Sequence, residues 1–399
     1  MKKGLKITLW CVVAAVPVGL IVGLCIPQSG VTHISTVGSS GVKPFVETLS
    51  EDYTDYMKKQ NDEEYDITVD AGGSGFGIGQ VAKGYTDIGN ASKNPYEGVQ
   101  KEYQSQWQER DIKTITIGWE GICVVYIPPS GISNDAKSKL NQTLDLNVNN
   151  ITNLYRVFSG YSDGLPQQTK KPTFGLFLND EVNLSASDKE KFQQQKITPY
   201  ARSGGSLTSG TASSFYESSH LENATEGLTD RQKNAFKYGT YGSDWKLYDT
   251  DEANSRAWDI FHRNNIPGSM VYLSSGFIKA NEKLIKDSGY GILSYSGVSF
   301  DASKIKTDNG YNFYRPLNIM LSIEDEKSQS FAEYLISDQT ADKWVNLGAK
   351  QVDQQDIDSM CKDGQFWVDD IDITMSRYPE IETIEELWTH DDLIFGADD

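Results

Sequence analysis

The chain has 399 residues, 38% hydrophobic, 11% aromatic and 23% charged, enough apolar material for roughly two or three folded domains rather than a disordered chain. Its formal net charge of −19, from 37 basic against 56 acidic residues, excludes a nucleic-acid partner, whose phosphates would be repelled over most of the surface. Residues 351–399 hold 15 of those acids against two basic side chains, so the body is only mildly acidic, and it could hold an anion only with local dipoles.

Lys2, Lys3 and Lys6 precede an uncharged stretch from Ile7 to Ile26. Twenty residues at about 1.5 Å rise span about 30 Å, a bilayer core, and the lysines favour a cytoplasmic N-terminus. An uncleaved membrane anchor over residues 1–29 is the first expectation. Lipid attachment at Cys25 is the alternative, with Leu24 where such sites want a small residue, and an ordinary cleaved signal is a third. The first two tether residue 30 onward to the outer face of the membrane, and all three place it outside.

Beyond the anchor, short β-branched runs alternate with amphipathic stretches, an α/β pattern. His33–Val37 reads as a strand ending at Gly38-Ser39-Ser40-Gly41, with a helix from Pro44. Asp66–Val69 is a second strand, ending at Gly72-Gly73-Ser74-Gly75 before a helix around Ile78–Ala82. Thr86–Gly89, Thr114–Ile117 and Ile122–Ile127 read as further strands. A third polar turn runs from Arg202 to Thr211 and enters a helix at Ala212. Gly268–Phe277 and Tyr314–Leu321 are strand-like, Ser328–Leu347 is one amphipathic helix, and Phe366, Trp367, Leu387, Trp388 and Phe395 could dock the acidic extension on the body.

A Ser/Gly turn between a strand end and a helix start leaves unpaired N–H groups facing outward, and with the helix dipole they attract anions. Each turn alone is equally well a surface loop. Gly72–Gly77 lacks the G-K-[ST] ending of a nucleotide loop, and Phe76 breaks the G-x-S-x-G of a serine nucleophile. No histidine neighbours these serines, and Cys11, Cys25, Cys123 and Cys361 show no C-x-x-C spacing. Neither catalysis nor a metal or cofactor is expected; Cys123 reads as a packed small hydrophobe.

Taken in order, Val37-Gly38-Ser39-Ser40…Pro44, Ala71–Ile78, Thr86–Gly89, Gly121–Val125, Asn153–Gly160, Arg202…Ser209-Gly210-Thr211, Ile266–Ser269 and Tyr314–Leu317 resemble the phosphate-binding subunit of bacterial phosphate ABC transporters, the PstS-type solute-binding proteins, over about residues 34–349. The resemblance implies a two-lobed, type II periplasmic-binding-protein fold with a transmembrane anchor before it and an acidic extension, 351–399, after it. It would divide the body into residues 30–118 and 273–350 for the first lobe and 119–272 for the second. It further implies a monomer that is not an enzyme, with inorganic phosphate as ligand and a membrane ABC permease as partner. Ser39, Ser40, Ser74, Gly75, Arg202, Ser209, Gly210 and Thr211 would hold the phosphate. Three departures stand out. Ser206-Leu207-Thr208 lengthens the arginine loop, and Gly41 replaces a frequent hydroxyl residue. Lys93 lies where some relatives carry an aspartate that accepts the proton of hydrogen phosphate, and Glu120 is either its substitute or a solvated carboxylate near the hinge. Binding of sulfate or an organic phosphate, or a sensor or adhesion role on the same fold, are the alternatives.

Overall fold

The computed structural model describes residues 30–353 apart from 94, 96–100, 167–170, 208, 218–222, 252 and 323. The expected anchor over 1–29 and the extension beyond 353 lie outside the described residues. Among the described residues no helix is long and apolar enough to cross a membrane.

Strand β1 (Val31–Gly38) alternates buried Ile34, Thr36 and Gly38 with more exposed neighbours, the period-two pattern of a strand. Helix α1 (Lys43–Asn61) has Pro44 in its first turn, where a missing N–H costs nothing. It buries Phe45, Leu49, Tyr53 and Met57 on one stripe. Next come β2 (Glu64–Ala71), α2 (Ser74–Ala82) and β3 (Ile88–Ala91).

The strands expected separately at Thr114–Ile117 and Ile122–Ile127 are one 15-residue strand, β4 (Ile112–Tyr126). The glycines between them do not turn the chain. Gly118 admits Trp344, whose ring lies 2.9 Å from where a Cβ would stand. Beyond β4 lie β5 (Thr198–Arg202), α3 (Gly210–Glu217), β6 (Tyr248–Thr250), α4 (Asn254–Asn264), β7 (Ser269–Ser274), β8 (Tyr314–Ser322) and β9 (Ala349–Gln351). The single helix expected over Ser328–Leu347 breaks into Glu326–Leu335 and Ala341–Leu347. The Leu335 carbonyl left by the break accepts bonds from Thr340 Oγ1 at 3.0 Å, Trp344 Nε1 at 3.0 Å and Gln351 Nε2 at 2.9 Å.

The principal sheet runs β2-β1-β3-β8-β4-β7-β5-β6. Its two outer thirds are parallel, with β1 beside β2 and β3, and β5 beside β6 and β7. Antiparallel β8, β4 and β7 join them, and β4 pairs with β8 along its first half and with β7 along its second. Apolar side chains gather in two clusters at the two ends of β4. One holds Phe45, Leu49, Ile117, Leu317 and Trp344, and the other Val124, Phe158, Phe215, Tyr272 and Phe313.

From the end of β7 onward, Leu273, Ile285, Leu293 and Phe313 pack with the second cluster, while Ala302, Ile305 and Leu317 pack with the first. Cys123 is fully buried in the second cluster, and burial pushes its thiol well above the ordinary range, as suits a packing residue.

Candidate functional site

Gly38 ends β1 at φ +152° with its Cα pressed on the Asn90 carbonyl, an approach that any Cβ would block. The contact brings the ends of β1 and β3 together, so that Ser39 Oγ donates to Ser92 Oγ at 2.9 Å. Ser39 N donates to Asn90 O, and Val42 N and Lys43 N close on Ser39 O, which leads the turn into α1. The second turn is tied to the first by Gly72 N and Gly73 N, both 2.9 Å from Gly38 O. Gly73 takes φ +89°, and Ser74, the first residue of α2, accepts from Ser92 N at 3.2 Å.

From the other half, Ser209 precedes α3, its Oγ accepting from Ala212 N at 3.3 Å. Ala253 and Asn254 form the start of α4. These four helix starts face one cavity of about 320 Å³. Its hydroxyl lining is Ser39, Ser40, Ser74, Ser92, Ser209 and Thr211, its backbone lining includes Gly41, Gly73, Gly210 and Ala253, and Asn254 and Arg315 complete it. First-turn N–H groups without intrahelical partners, together with aligned dipoles, make such a place attractive to an anion.

Arg315 is 1% exposed. Its Nε and Nη2 donate to Glu120 Oε2 at 2.8 and 2.5 Å, and its Nη1 reaches Gly210 O at 3.0 Å and Ser214 Oγ at 3.1 Å. A guanidinium has five N–H donors, so these bonds leave one, on Nη2. Nη2 lies against Gly41 so closely that a Cβ there would overlap it. Gly41 is therefore the residue that makes room for Arg315, which accounts for the missing hydroxyl at that position. Glu120 is wholly buried, its Oε1 accepts from Gly276 N at 3.2 Å, and it does not line the cavity. The expectation of a solvated carboxylate is corrected: the antiparallel register sets it opposite Arg315.

Of the residues expected at the site, Ser39, Ser40, Ser74, Ser209, Gly210 and Thr211 line the cavity. Gly75 follows Ser74 in the first turn of α2 without lining it. Arg202 lies behind the wall. It is fully buried, with Nη1 donating to Ala253 O at 3.0 Å and Nη2 to Asn254 Oδ1 at 2.8 Å and to Tyr272 O at 2.7 Å. Lys93 does not line the cavity; its carbonyl accepts from Asn318 Nδ2 at 3.1 Å, and Ser92 holds the adjacent place in the wall. Ser92, Asn254 and Arg315 were missed as lining residues. Arg315 belongs to the Tyr314–Leu317 run, which the sequence marks as a strand and as part of the family resemblance but not as a ligand contact. No group of His, Cys, Asp or Glu among the described residues could hold a metal ion.

The chain is 31% identical over 366 residues to the uncharacterized lipoprotein MG412 of Mycoplasma genitalium, an alignment covering 86% of this chain and 91% of the relative. The chain belongs to that lipoprotein's family. It matches no family model.

Among solved structures, a protein assigned as a phosphate ABC transporter substrate-binding protein of Clostridium perfringens, with bound phosphate, is 16% identical with a TM-score of 0.50, over 81% of this chain and all of that one. The ancestral soluble variant of the human phosphate-binding protein is 10% identical with a TM-score of 0.52, over 86% and 98% of the two chains. A high-affinity periplasmic phosphate-binding protein, PfluDING, bound with phosphate, is 10% identical with a TM-score of 0.50, over 82% and 92%. At these identities the likeness establishes the fold, that of periplasmic solute-binding proteins.

Proposed function

We propose that this chain is an extracytoplasmic solute-binding protein that closes two halves on a tetrahedral oxyanion, inorganic phosphate first, and delivers it to an ABC importer. One observation carries the reading: four helix starts, six hydroxyl side chains and the Arg315 side chain line a single cavity between the halves. Ser39, Ser40, Ser74, Ser209, Gly210 and Thr211 are the proposed contacts, joined by Ser92 and Arg315, with Gly75 contributing backbone and Arg202 acting from behind. The phosphate-binding proteins of the same fold support this ligand. No covalent step is needed, and no histidine or carboxylate lines the cavity among the described residues.

The relative's description as a lipoprotein supports a lipid at Cys25 over the uncleaved anchor, with the body on the outer face of the membrane. Changing Cys25→Ser should then release the protein from the membrane fraction; unchanged partition would return the anchor to first place.

Isothermal titration with phosphate and with sulfate across pH 5–8 tests the ligand. The expected result is saturable phosphate binding that competes with sulfate. Heat with neither anion would overturn oxyanion capture. Tighter sulfate binding would favour the second reading, a sulfate-type site, which the lack of a carboxylate in the described lining supports, because a fully ionised dianion has no proton to donate.

A further inference from the structure

Two arginines stand near the cavity, and their charges are balanced very differently. Arg315 lines it but is neutralised by Glu120 within hydrogen-bond distance. Arg202 does not line it, is completely buried, and has no carboxylate within ion-pair distance among the described residues. Its hydrogen bonds run to neutral acceptors: the carbonyls of Ala253 and Tyr272 and the amide oxygen of Asn254. Its Nε is buried with no hydrogen-bond partner among the described residues. A buried charge so placed is costly unless something offsets it. Two of its acceptors, Ala253 and Asn254, are the cavity-lining start of α4, whose N-cap position holds an alanine with no side chain to cap it.

We propose that Arg202 is a positioning residue for the bound oxyanion: it fastens the start of α4 to the cavity wall and supplies, from behind that wall, the net positive charge that the ligand meets. The inference rests on the oxyanion reading above. It moves Arg202 from a direct contact to an indirect one. Burial holds its guanidinium at about 10, below the ordinary arginine range, as expected of a charge taken out of water. Charged and titratable groups facing it are Tyr272 on β7, Tyr241, Asp251 before α4, and Arg315 on β8. The tyrosines are pushed up by burial and stay neutral through the neutral range, so they bring no counter-charge, although the Tyr272 ring 5.2 Å from the guanidinium gives it a cation–π contact. Asp251 meets Arg202 through its backbone carbonyl at 3.5 Å, while its carboxylate accepts from Ala253 N.

The test is phosphate titration by calorimetry at pH 6 and pH 8, on either side of the second ionisation of phosphate, for the wild type and for Arg202→Met, Arg202→Lys and Asn254→Ala. The wild type should gain affinity as the ligand becomes a dianion. Arg202→Met should lose about 10–100-fold at pH 8 and much less at pH 6, flattening the pH dependence, since a hydrogen-bonded charge is removed. Asn254→Ala should weaken binding by a similar factor at both pH values, because the anchor goes and the charge stays. Arg202→Lys should keep the pH dependence at reduced affinity. Arg202→Met with wild-type affinity at pH 8, or with an undiminished gain from pH 6 to pH 8, would overturn the proposal. Should circular dichroism show Arg202→Met unfolded, Arg202→Lys and Asn254→Ala decide in the same way, through the retained pH dependence of the first and the uniform loss of the second. A wild type that binds no oxyanion fails the functional reading instead, and the two failures are distinct.

Discussion

A Cβ added at Gly210 would stand 3.0 Å from Ser92 Oγ and 3.9 Å from both Ser39 Oγ and Ser74 Oγ. The two halves therefore meet at Gly210 with room for a small ligand but little more. Gly210→Ala should lower phosphate affinity about tenfold or more, because one methyl in a tight site costs about 1–3 kcal/mol, while leaving thermal stability within a few degrees. Calorimetry beside a melting curve checks it, and unchanged affinity would place the ligand elsewhere in the cavity. Arg315→Met makes the opposite demand on the fold, since it leaves Glu120 buried without its partner. A loss of about 3–5 kcal/mol is expected in urea unfolding, and the double change Arg315→Met with Glu120→Met should recover most of it. A double variant no more stable than the single one would show that the buried carboxylate is not the cause. The three Ser/Gly turns were legible because each is a local strand–turn–helix pattern. Arg315 was not, because its partner lies 195 positions away and is set by strand register. The direction of Arg202 was hidden by the inserted residues, whose Gly205–Leu207 turn lies between it and Ser209.

At the scale of elements, the sequence placed strands and helices well and their joints poorly. Ile112–Tyr126 reads as two strands because glycines interrupt it, yet paired neighbours on both flanks keep it extended. A joint that can be tested lies at Asp188, which links two helix starts. It accepts from Ser133 Oγ and Ser185 Oγ, both at 2.7 Å, and from Ser133 N at 3.0 Å. Those hydrogen bonds, from Ser133 first and then Ser185, hold its carboxyl below the usual range. A depressed carboxylate stabilises the fold above its unfolded value of about 3.9, and that stability is lost as pH falls through the lower folded value. Asp188→Asn should therefore be less stable than the wild type by a constant margin from pH 5 to 7, with the margin closing below about pH 4. Chemical denaturation at stepped pH reads this, and a margin independent of pH down to 2 would contradict it.

For the molecule as a whole, closure of the two halves is the quantity to follow. Ser214 Oγ, on α3, shares its one proton between Ser92 O of the other half at 3.0 Å and Gly210 O at 2.8 Å, and accepts from Arg315 Nη1 at 3.1 Å. Removing that hydroxyl loosens the closed form and keeps every proposed phosphate-contact residue in place, although Ser92 O and Arg315 Nη1 each lose a partner. Ser214→Ala should show a larger radius of gyration than the wild type in small-angle scattering without ligand, and excess phosphate should bring the two together. Identical curves in both conditions would mean that Ser214 does not govern closure. The α/β sheet was legible in the alternation of strand and helix patterns, while the division of the later segment between the cores was not. The side chains of residues 273–313 divide between the two cores, Leu293 and Phe313 with the second and Ala302 and Ile305 with the first, partnerships that no local pattern reveals.

The place of β8 has a consequence for how the chain is made. It lies between β3 and β4 and is hydrogen-bonded to both, yet it follows β4 by nearly two hundred residues. A chain emerging N-terminus first therefore presents β1, β2 and β3 as a partial sheet with an unpaired edge until residue 322 is available, while the half built on β7 and β5 can already condense. Biogenesis should be sequential, with the inserted half protecting its amides first and the half that contains both ends of the body last. Pulse-labelled hydrogen exchange during refolding would show two phases in that order, and the late phase is the interval in which the nascent protein depends most on a holding chaperone.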